Sequence, residues 1–597
     1  MESRPNHGQK NLFAEFPAVS NAEWEARLLK ELKGKPLEKL DWDTPEGFKM
    51  KAYYREKDIE ALLKEESSDS LSVRRGDHIK LGNPSWQPIQ AISLTDIPAA
   101  RQRLQAAQEA EIKAFLFEGN IGNLPDLLSE LHLSRTAVHI RSNAVEDEVW
   151  DKLKEAAQNN DTKIEWITGT CFVDPYSLML STKGEWELIQ MERIDSILKS
   201  TEDMPYFRSL GIDMTYVLDQ GGSCSQQLGL ALATALEYLM YFSEKGTHTV
   251  EKLLPKLAFL FSTGSSFFME IAKLRAFRLL FARLVELLEV EADTDPSPFI
   301  LSTNTTWNKT LSDRHNNLLR GTTEAVSAVL GGAHGMIVRP FDHTLAEDNE
   351  FSHRLARNIQ QLLTHESYLG KVVDPGGGSY YLEKLTDALA EQAWGFFQEI
   401  EKEGGLQAAH TSGFISVRIE ETKNKQLGKL VTARKSLIGV NRYPNMDEEV
   451  KDFLNPGLLQ RASSPFEEVK RDSLKKGQER GTLLKAKIIL FGDPLMRTAR
   501  ATFSENVMGV LGWETEQEIW NEEESAAKAD IYVLCSDDTS YPENAPVIFE
   551  FLRKQGHQGP VILAGKNDHA SDWGIEFCLY RGMNLLEFHH ALMQKFP

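Results

Sequence analysis

Five histidines, His315, His334, His343, His353 and His365, crowd into one stretch of the chain and are the first candidates for metal or acid–base chemistry. A helical zinc site needs two imidazoles four residues apart with a carboxylate at hand. No pair among the five has that spacing, so no metal centre is expected there. Four cations, Lys273, Arg275, Arg278 and Arg283, interrupt an otherwise apolar helical pattern and could reach a phosphate. The stronger expectation is that they snorkel to solvent along apolar surface or pair with Glu270 and Glu286. Gly331 and Gly332 end a helical run, and Gly376–Gly378 follow Asp374 and Pro375. Neither group sits after a strand in a G-x-x-x-x-G-K-[ST] or G-x-G-x-x-G context, so helix caps and turns are expected rather than a phosphate cradle. Cys171, Cys224, Cys535 and Cys578 lie far apart without a C-x-x-C pair, which indicates neither a zinc site nor a disulfide framework and fits a reducing cytoplasm.

The elements that must position any such chemistry follow from periodicity. Residues 1–70 are polar and helix-prone, with Trp24, Leu28, Leu29 and Leu32 at helical spacing, and read as an arm that packs on the body or on another subunit. From 71 to 410, short apolar runs at Ala91–Leu94, Ala114–Phe117, Ala137–Ile140, Thr215–Leu218, Leu257–Phe261, Phe299–Ser302 and Met336–Val338 alternate with helical patterns. That rhythm predicts an α/β fold of the (β/α)8 TIM-barrel kind, with an eighth strand of weak pattern near Cys171 and Phe172. Residues 411–482 are rich in Lys, Glu and Arg with Pro444, Pro456 and Pro465, and read as a partly helical linker. Strands at Ile488–Leu490, Ile531–Leu534 and Val561–Ala564, alternating with helices near Thr498–Leu511, Ala545–Gln555 and Leu585–Gln594, predict a doubly wound domain over 483–597.

A net charge of −21 disfavours nucleic acid and anionic lipid as partners, leaving proteins and small molecules. Apolar runs such as Ile271–Leu288 are broken by charges before they reach membrane-spanning length, and the N-terminal MESRPNHGQKNLF carries no apolar core of a secretion signal. A cytoplasmic location is therefore expected.

Several stretches, in order, resemble the methylmalonyl-CoA mutase family. They are KLAFLFSTGSSFFMEIAKLRAFRLLFARL (256–284), HNNLLRGTTEAVSAVLGGAHGMIVRPFD (315–342), EFSHRLARNIQQLL (350–363), KVVDPGGGSYYLEKLTDALAEQAW (371–394) and IGVNRYPN (438–445). The resemblance implies a barrel that holds acyl-CoA along its axis and a flavodoxin-like cobalamin-binding domain behind it. It also implies a radical rearrangement interconverting methylmalonyl-CoA and succinyl-CoA, begun by Co–C homolysis in adenosylcobalamin, with the protein supplying positioning and water exclusion.

Against that pattern the chain departs in three places. Cobalamin domains carry D-x-H-x-x-G after their first strand. Here that turn begins at Asp493, with Leu495 at the histidine and Thr498 at the glycine position; aligned on Gly492, the ligand position is Met496. Neither an alkyl group nor a thioether replaces an imidazole on cobalt. Catalytic members read G-Y-H-M-Q-E-A-G where this chain reads MTYVLDQG (214–221), so Tyr216 stands for the histidine that steadies the thioester carbonyl. The substrate block Y-x-x-R-P-W-T-I-R-Q-Y is reduced to NPSWQPIQAI (83–92), with Trp86 as its remnant. Ser536 and Gly565, at positions where cobalamin domains contact the cofactor, are expected to be an ordinary strand-end cap and turn.

These departures resemble the small, or beta, subunit branch of heterodimeric family members. The branch implies a chain without catalytic, cofactor-binding or metal-ligating residues of its own, partnered by a large (alpha) subunit that holds adenosylcobalamin and acyl-CoA, which it stabilises by binding. Two rival expectations remain: an acyl-CoA isomerase that uses Tyr216, and an acyl-CoA sensor that binds without conversion.

Overall fold

The computed structural model describes residues 19–65, 86–182, 188–290, 297–345, 349–448, 460–521 and 528–595. The boundary expected between 70 and 71, the residues Asn83–Ser85 of the reduced substrate block, and Pro456 lie outside them.

The arm opens with helix α1, Asn21–Glu31. The Ser20 hydroxyl accepts from the Glu23 amide while the Glu23 carboxylate accepts from the Ser20 amide, a reciprocal cap that satisfies two orphan donors. Short strands Trp42–Asp43 and Lys49–Met50 pair antiparallel behind it, and helix Glu56–Glu65 follows.

The body is built on parallel strands β1 (Gln87–Ser93), β2 (Ala114–Glu118), β3 (Ala137–Arg141), β4 (Gly169–Phe172), β5 (Phe207–Arg208), β6 (Leu210–Asp213), β7 (Leu257–Thr263), β8 (Ile300–Asn304) and β9 (Gly335–Ile337). They form one nine-stranded sheet in the order β5-β4-β3-β2-β1-β9-β8-β7-β6. First and last strands meet where Gln87 pairs with Gly335, and the two ends of the order, β5 and β6, are separated by Ser209 alone. The sheet therefore curls into a barrel nearly closed on itself. Burial on both faces explains the continuous apolar runs: every residue of β7, LAFLFST, is buried.

Around the strands lie α2 (Thr215–Asp219), α3 (Cys224–Glu244), α4 (Phe267–Leu287), α5 (Asn316–Leu330), α6 (Tyr380–Lys402) and α7 (Phe414–Val431). α6 packs on both α3 and α4. The cations of α4 do not all behave as expected. Lys273, Arg275 and Arg278 do not reach solvent but are buried. Arg275 pairs with Asp374 at 3.0 Å and Glu383 at 2.8 Å, Arg278 donates to the Gly331 carbonyl at 2.9 Å, and Lys273 pairs with Glu270 and donates to the Ser262 carbonyl at 2.6 Å. Arg283, on the exposed side, pairs with Glu286. Buried cations of this kind fix neighbours in register, because each is costly unless paired. Gly331 caps α5, as its position after a helical run predicts.

The expected strand Thr215–Leu218 is corrected: those residues form α2, and the chain enters the barrel earlier, through β5 and β6. The TYVL run is β-branched and aromatic, which favours strand locally. The ladder nevertheless ends where the Met214 amide donates to the Leu260 carbonyl, and Gly221, at φ +84°, turns the chain into α3. Arg208, Ser209, Gly211 and Asp213 break the apolar run of the true strand and hide it. The weak pattern at Cys171 and Phe172 is a strand, β4.

A second unit follows α8 (Ser464–Arg480). Strands β10 (Lys485–Leu490), β11 (Glu514–Ile519), β12 (Ile531–Cys535), β13 (Val561–Ala564) and β14 (Phe577–Leu579) form a parallel sheet in the order β11-β10-β12-β13-β14, with helix α9 (Pro494–Val510) after β10. β11 and β14 were not expected. The first is an exposed edge strand of sequence ETEQEI, polar as exposed edges tend to be, and the second is three residues long. One apolar cluster joins Trp307 of the body and Leu430 and Val440 to Phe466, Val469 and Ile488 of this unit.

Candidate functional site

In parallel α/β barrels the carboxyl ends of the strands carry chemistry, so the site is built from the axis upward. At the lower level, His139 on β3 meets Thr170 Oγ1 at 2.9 Å and Gln87 Oε1 at 3.0 Å. Burial pushes its pKa down to about 3, helped by Arg208, so this imidazole is neutral. Above it, Ile89, Leu116, Phe172, Leu260, Leu301 and Ile337 meet in one buried apolar cluster drawn from six strands. These side chains pack the axis as a core.

At the upper rim stands a charged layer. Arg141, the last residue of β3, donates to Asp213 at 2.6 Å, to Glu118 at 3.2 Å and to the Thr215 hydroxyl at 2.7 Å. Arg339, just past β9, makes a two-pronged pair with Glu118 at 2.5 and 2.7 Å. Burial pushes the Glu118 carboxyl up, but the Arg339 and Arg141 guanidinium groups outweigh it and hold its pKa at about 2. Asp174 is the opposite case. Burial raises it to about 6 although Ser177, Tyr238 (2.7 Å) and the Asp213 amide (2.9 Å) donate to it. Two carboxyls on one rim are thus pushed apart, one ionised at any physiological pH and one able to hold a proton near neutrality.

Tyr216 sits on α2 above β6 and lines two neighbouring cavities, of about 650 and about 1330 Å³, both shared with Arg141, Thr215 and Ser181. Its hydroxyl is buried and has no hydrogen-bond partner among the described residues. Burial, then Asp174 and Asp213, push its pKa well above the ordinary tyrosine value, so it is a neutral phenol. Such a group can donate one hydrogen bond; it cannot carry positive charge or exchange a proton near neutral pH. Trp86 is buried in the core outside the axis.

The histidines grouped in sequence do not form one cluster, although His343 lies within electrostatic reach of His353 and lines the larger rim cavity with Tyr216 and Arg141. The His315 ring lies against Phe341, the His334 Nδ1 accepts from the Ile300 amide at 3.1 Å, and His353 meets Gln90 at 3.2 Å. Among the described residues no three His, Cys, Asp or Glu side chains converge as metal ligands. Sequence reasoning missed Glu118, Arg141, Asp174 and Asp213. The first two end the apolar runs AFLFE and AVHIR, and a charge at a barrel strand's carboxyl end was the signal available.

On the second unit, Asp493 caps α9 by accepting from the Met496 amide at 2.9 Å. Leu495 (78% exposed) and Met496 (40%) therefore lie on the first turn of that helix, beside the strand ends. The Arg500 guanidinium folds back between those ends, donating to the Ser536 carbonyl at 2.7 Å and to Asp538 at 2.6 Å and lying 5.2 Å over the Tyr541 ring. A Cβ on Gly565 would come within 3.1 Å of that guanidinium, and one on Gly492 would come within 2.3 Å of Ser536 Oγ. The crevice at the carboxyl ends of β10, β12 and β13 is thus occupied by the chain's own side chains.

The methylmalonyl-CoA mutase family model matches residues 120–487. The methylmalonyl-CoA mutase small subunit of Porphyromonas gingivalis is 31% identical, over 98% of this chain and 99% of its own length. The small subunit from Streptomyces virginiae is 36% identical over 62% of each chain, and the methylmalonyl-CoA mutase of Rhizobium meliloti is 31% identical over 72% of this chain and 65% of its own. From the match across most of its length, the chain belongs to the methylmalonyl-CoA mutase family.

Proposed function

We propose that this chain is the small, non-catalytic subunit of a heterodimeric adenosylcobalamin-dependent methylmalonyl-CoA mutase. It stabilises a large subunit that holds cofactor and acyl-CoA and interconverts methylmalonyl-CoA and succinyl-CoA. The observation that carries this reading is the cobalamin turn. Leu495 or Met496 stands where cobalt needs an imidazole, and Arg500 fills the crevice that a corrin tail would enter. The residues present do not fit the cofactor, and no step is routed through it on this chain. Two further features agree. Tyr216 is a neutral phenol where the thioester-steadying histidine belongs, and the barrel axis is packed with Leu116, Phe172, Leu260 and Leu301 rather than open to a threaded thioester.

The same reading makes the body a (β/α)8 barrel, with β5 and β6 counted as one strand, and the second unit a flavodoxin-like domain, which its 2-1-3-4-5 strand order favours. No helix among the described residues is long and apolar enough to cross a membrane, which agrees with a cytoplasmic enzyme. The arm is the contact element in this reading: none of the residues of α1 is buried and Leu29 stays exposed, while Trp24, 37% exposed, packs edge-on against Tyr53 beneath the Arg55 guanidinium. A partner that binds the folded large subunit raises its stability by mass action. Thermal unfolding of the large subunit with and without this chain is the test. The expected result is a higher melting temperature in the pair, and equal values would contradict the reading. Tyr216, which lines a polar cavity although its hydroxyl is buried, favours, as second reading, a sensor that binds acyl-CoA unconverted. Heat on titration of the isolated chain with CoA esters would establish that instead.

A further inference from the structure

Away from the barrel rim, the arm and α7 enclose a cleft of about 820 Å³, within the range of small-molecule sites. Its walls carry a concentration of cations unusual for a chain with net charge −21. Most acids lining it are already committed. Glu46 of the arm accepts from the Cys224 and Ser225 amides at 2.9 and 2.7 Å, which occupies the N-terminus of α3. Glu399 and Glu421 pair with Arg418, and Asp43 with Lys49. Among the described residues, Lys425, Lys429, Arg434 and Lys435 make no side-chain hydrogen bond or ion pair, against one uncommitted lining carboxylate, Asp41.

The four cations are brought together by local geometry. Lys425 and Lys429 stand one turn apart on the same face of α7. After the helix, Ala433 at φ +51° reverses the chain so that the Lys435 amide donates to the Lys429 carbonyl at 2.9 Å. Lys435 is half-buried. Burial, then Lys429, push its pKa down, and no carboxylate among the described residues opposes them. A partly buried ammonium beside another ammonium, with no opposing carboxylate among the described residues, is costly unless an anion joins it. Trp42, 41% exposed, lines the same cleft and offers a flat face beside the charges.

We propose that this cleft binds a small molecule bearing a diphosphate group, held by Lys425, Lys429, Arg434 and Lys435, either as the free anion or as a nucleoside diphosphate whose base lies on Trp42. The site is independent of the barrel and of the cobalamin turn, so it stands or falls apart from the function proposed above.

The test is thermal unfolding of the full chain with inorganic pyrophosphate, with ADP, and with sodium chloride at matched ionic strength. Pyrophosphate is expected to raise the melting temperature beyond the chloride control. Tighter binding of ADP would mark a nucleotide as the ligand, and equal binding the free diphosphate. In Lys425→Gln/Lys429→Gln, on the rim of α7, pyrophosphate should bind roughly tenfold or more weakly, as loss of charge-assisted contacts requires. Lys435→Met should raise the melting temperature of the ligand-free chain, because it removes an uncompensated cation, and should shrink the pyrophosphate response. No response beyond chloride in the wild-type chain, or a response that survives both variants, overturns the proposal.

Discussion

Tyr216 and Glu118 show how single side chains separate architecture from chemistry here. The phenol of Tyr216 is buried without a hydrogen-bond partner among the described residues, and leaving such a group unsatisfied costs about 1–3 kcal/mol. Tyr216→Phe is therefore expected to leave the chain as stable as before or more stable, by up to about 1 kcal/mol in urea unfolding. A loss of that size would mean that the hydroxyl has a partner. Glu118 makes the opposite prediction. Its carboxyl is held near 2 in the fold against 4.5 unfolded, so its contribution is fully present above pH 4.5 and is lost as pH falls toward 2. The shift corresponds to a contribution on the order of 3 kcal/mol at pH 7. The stability gap between wild type and Glu118→Gln, measured by urea unfolding, should narrow by more than half between pH 7 and pH 3. A gap that does not change with pH would contradict the role given to Arg339 and Arg141.

At the scale of elements, the turn from β10 into α9 decides what the second unit can hold. Restoring the imidazole alone should not restore the site, because Arg500 still spans the crevice from α9 to Ser536 and Asp538. Leu495→His is expected to bind no corrin by visible absorption, whereas uptake by that single variant would show that Arg500 yields to the cofactor. Elements also mark what could be read from sequence and what could not. Strands with continuous apolar runs, such as β2, β3 and β7, announced themselves, and so did the turn at Asp493. The entering strand before α2 did not, because Arg208, Gly211 and Asp213 carry roles set by other strands: a Cβ on Gly211 would meet the Cys171 carbonyl at 2.4 Å, and Asp213 exists to pair with Arg141. The pocket around Asp174 was equally hidden, since its donors Ser177, Tyr238 and the Asp213 amide converge only when α3 closes on the barrel. A Cβ on Gly565 would crowd the Arg500 guanidinium at 3.1 Å, a closeness no local pattern contains.

Over the whole molecule, a packed barrel axis and a filled crevice agree with the scaffold role proposed for this chain. Leu29→Asp should weaken association with the large subunit roughly tenfold or more, as a charge set into an apolar contact does, while leaving the melting temperature of the isolated chain unchanged, since Leu29 is exposed. Unaltered affinity in sedimentation would move the interface elsewhere. Equilibrium dialysis of adenosylcobalamin against this chain alone and against its complex with the large subunit tests the central claim most directly. The account predicts no corrin retained by the isolated chain and one per complex. Stoichiometric retention by this chain on its own, with the absorption spectrum of a protein-ligated cobalt, would contradict it.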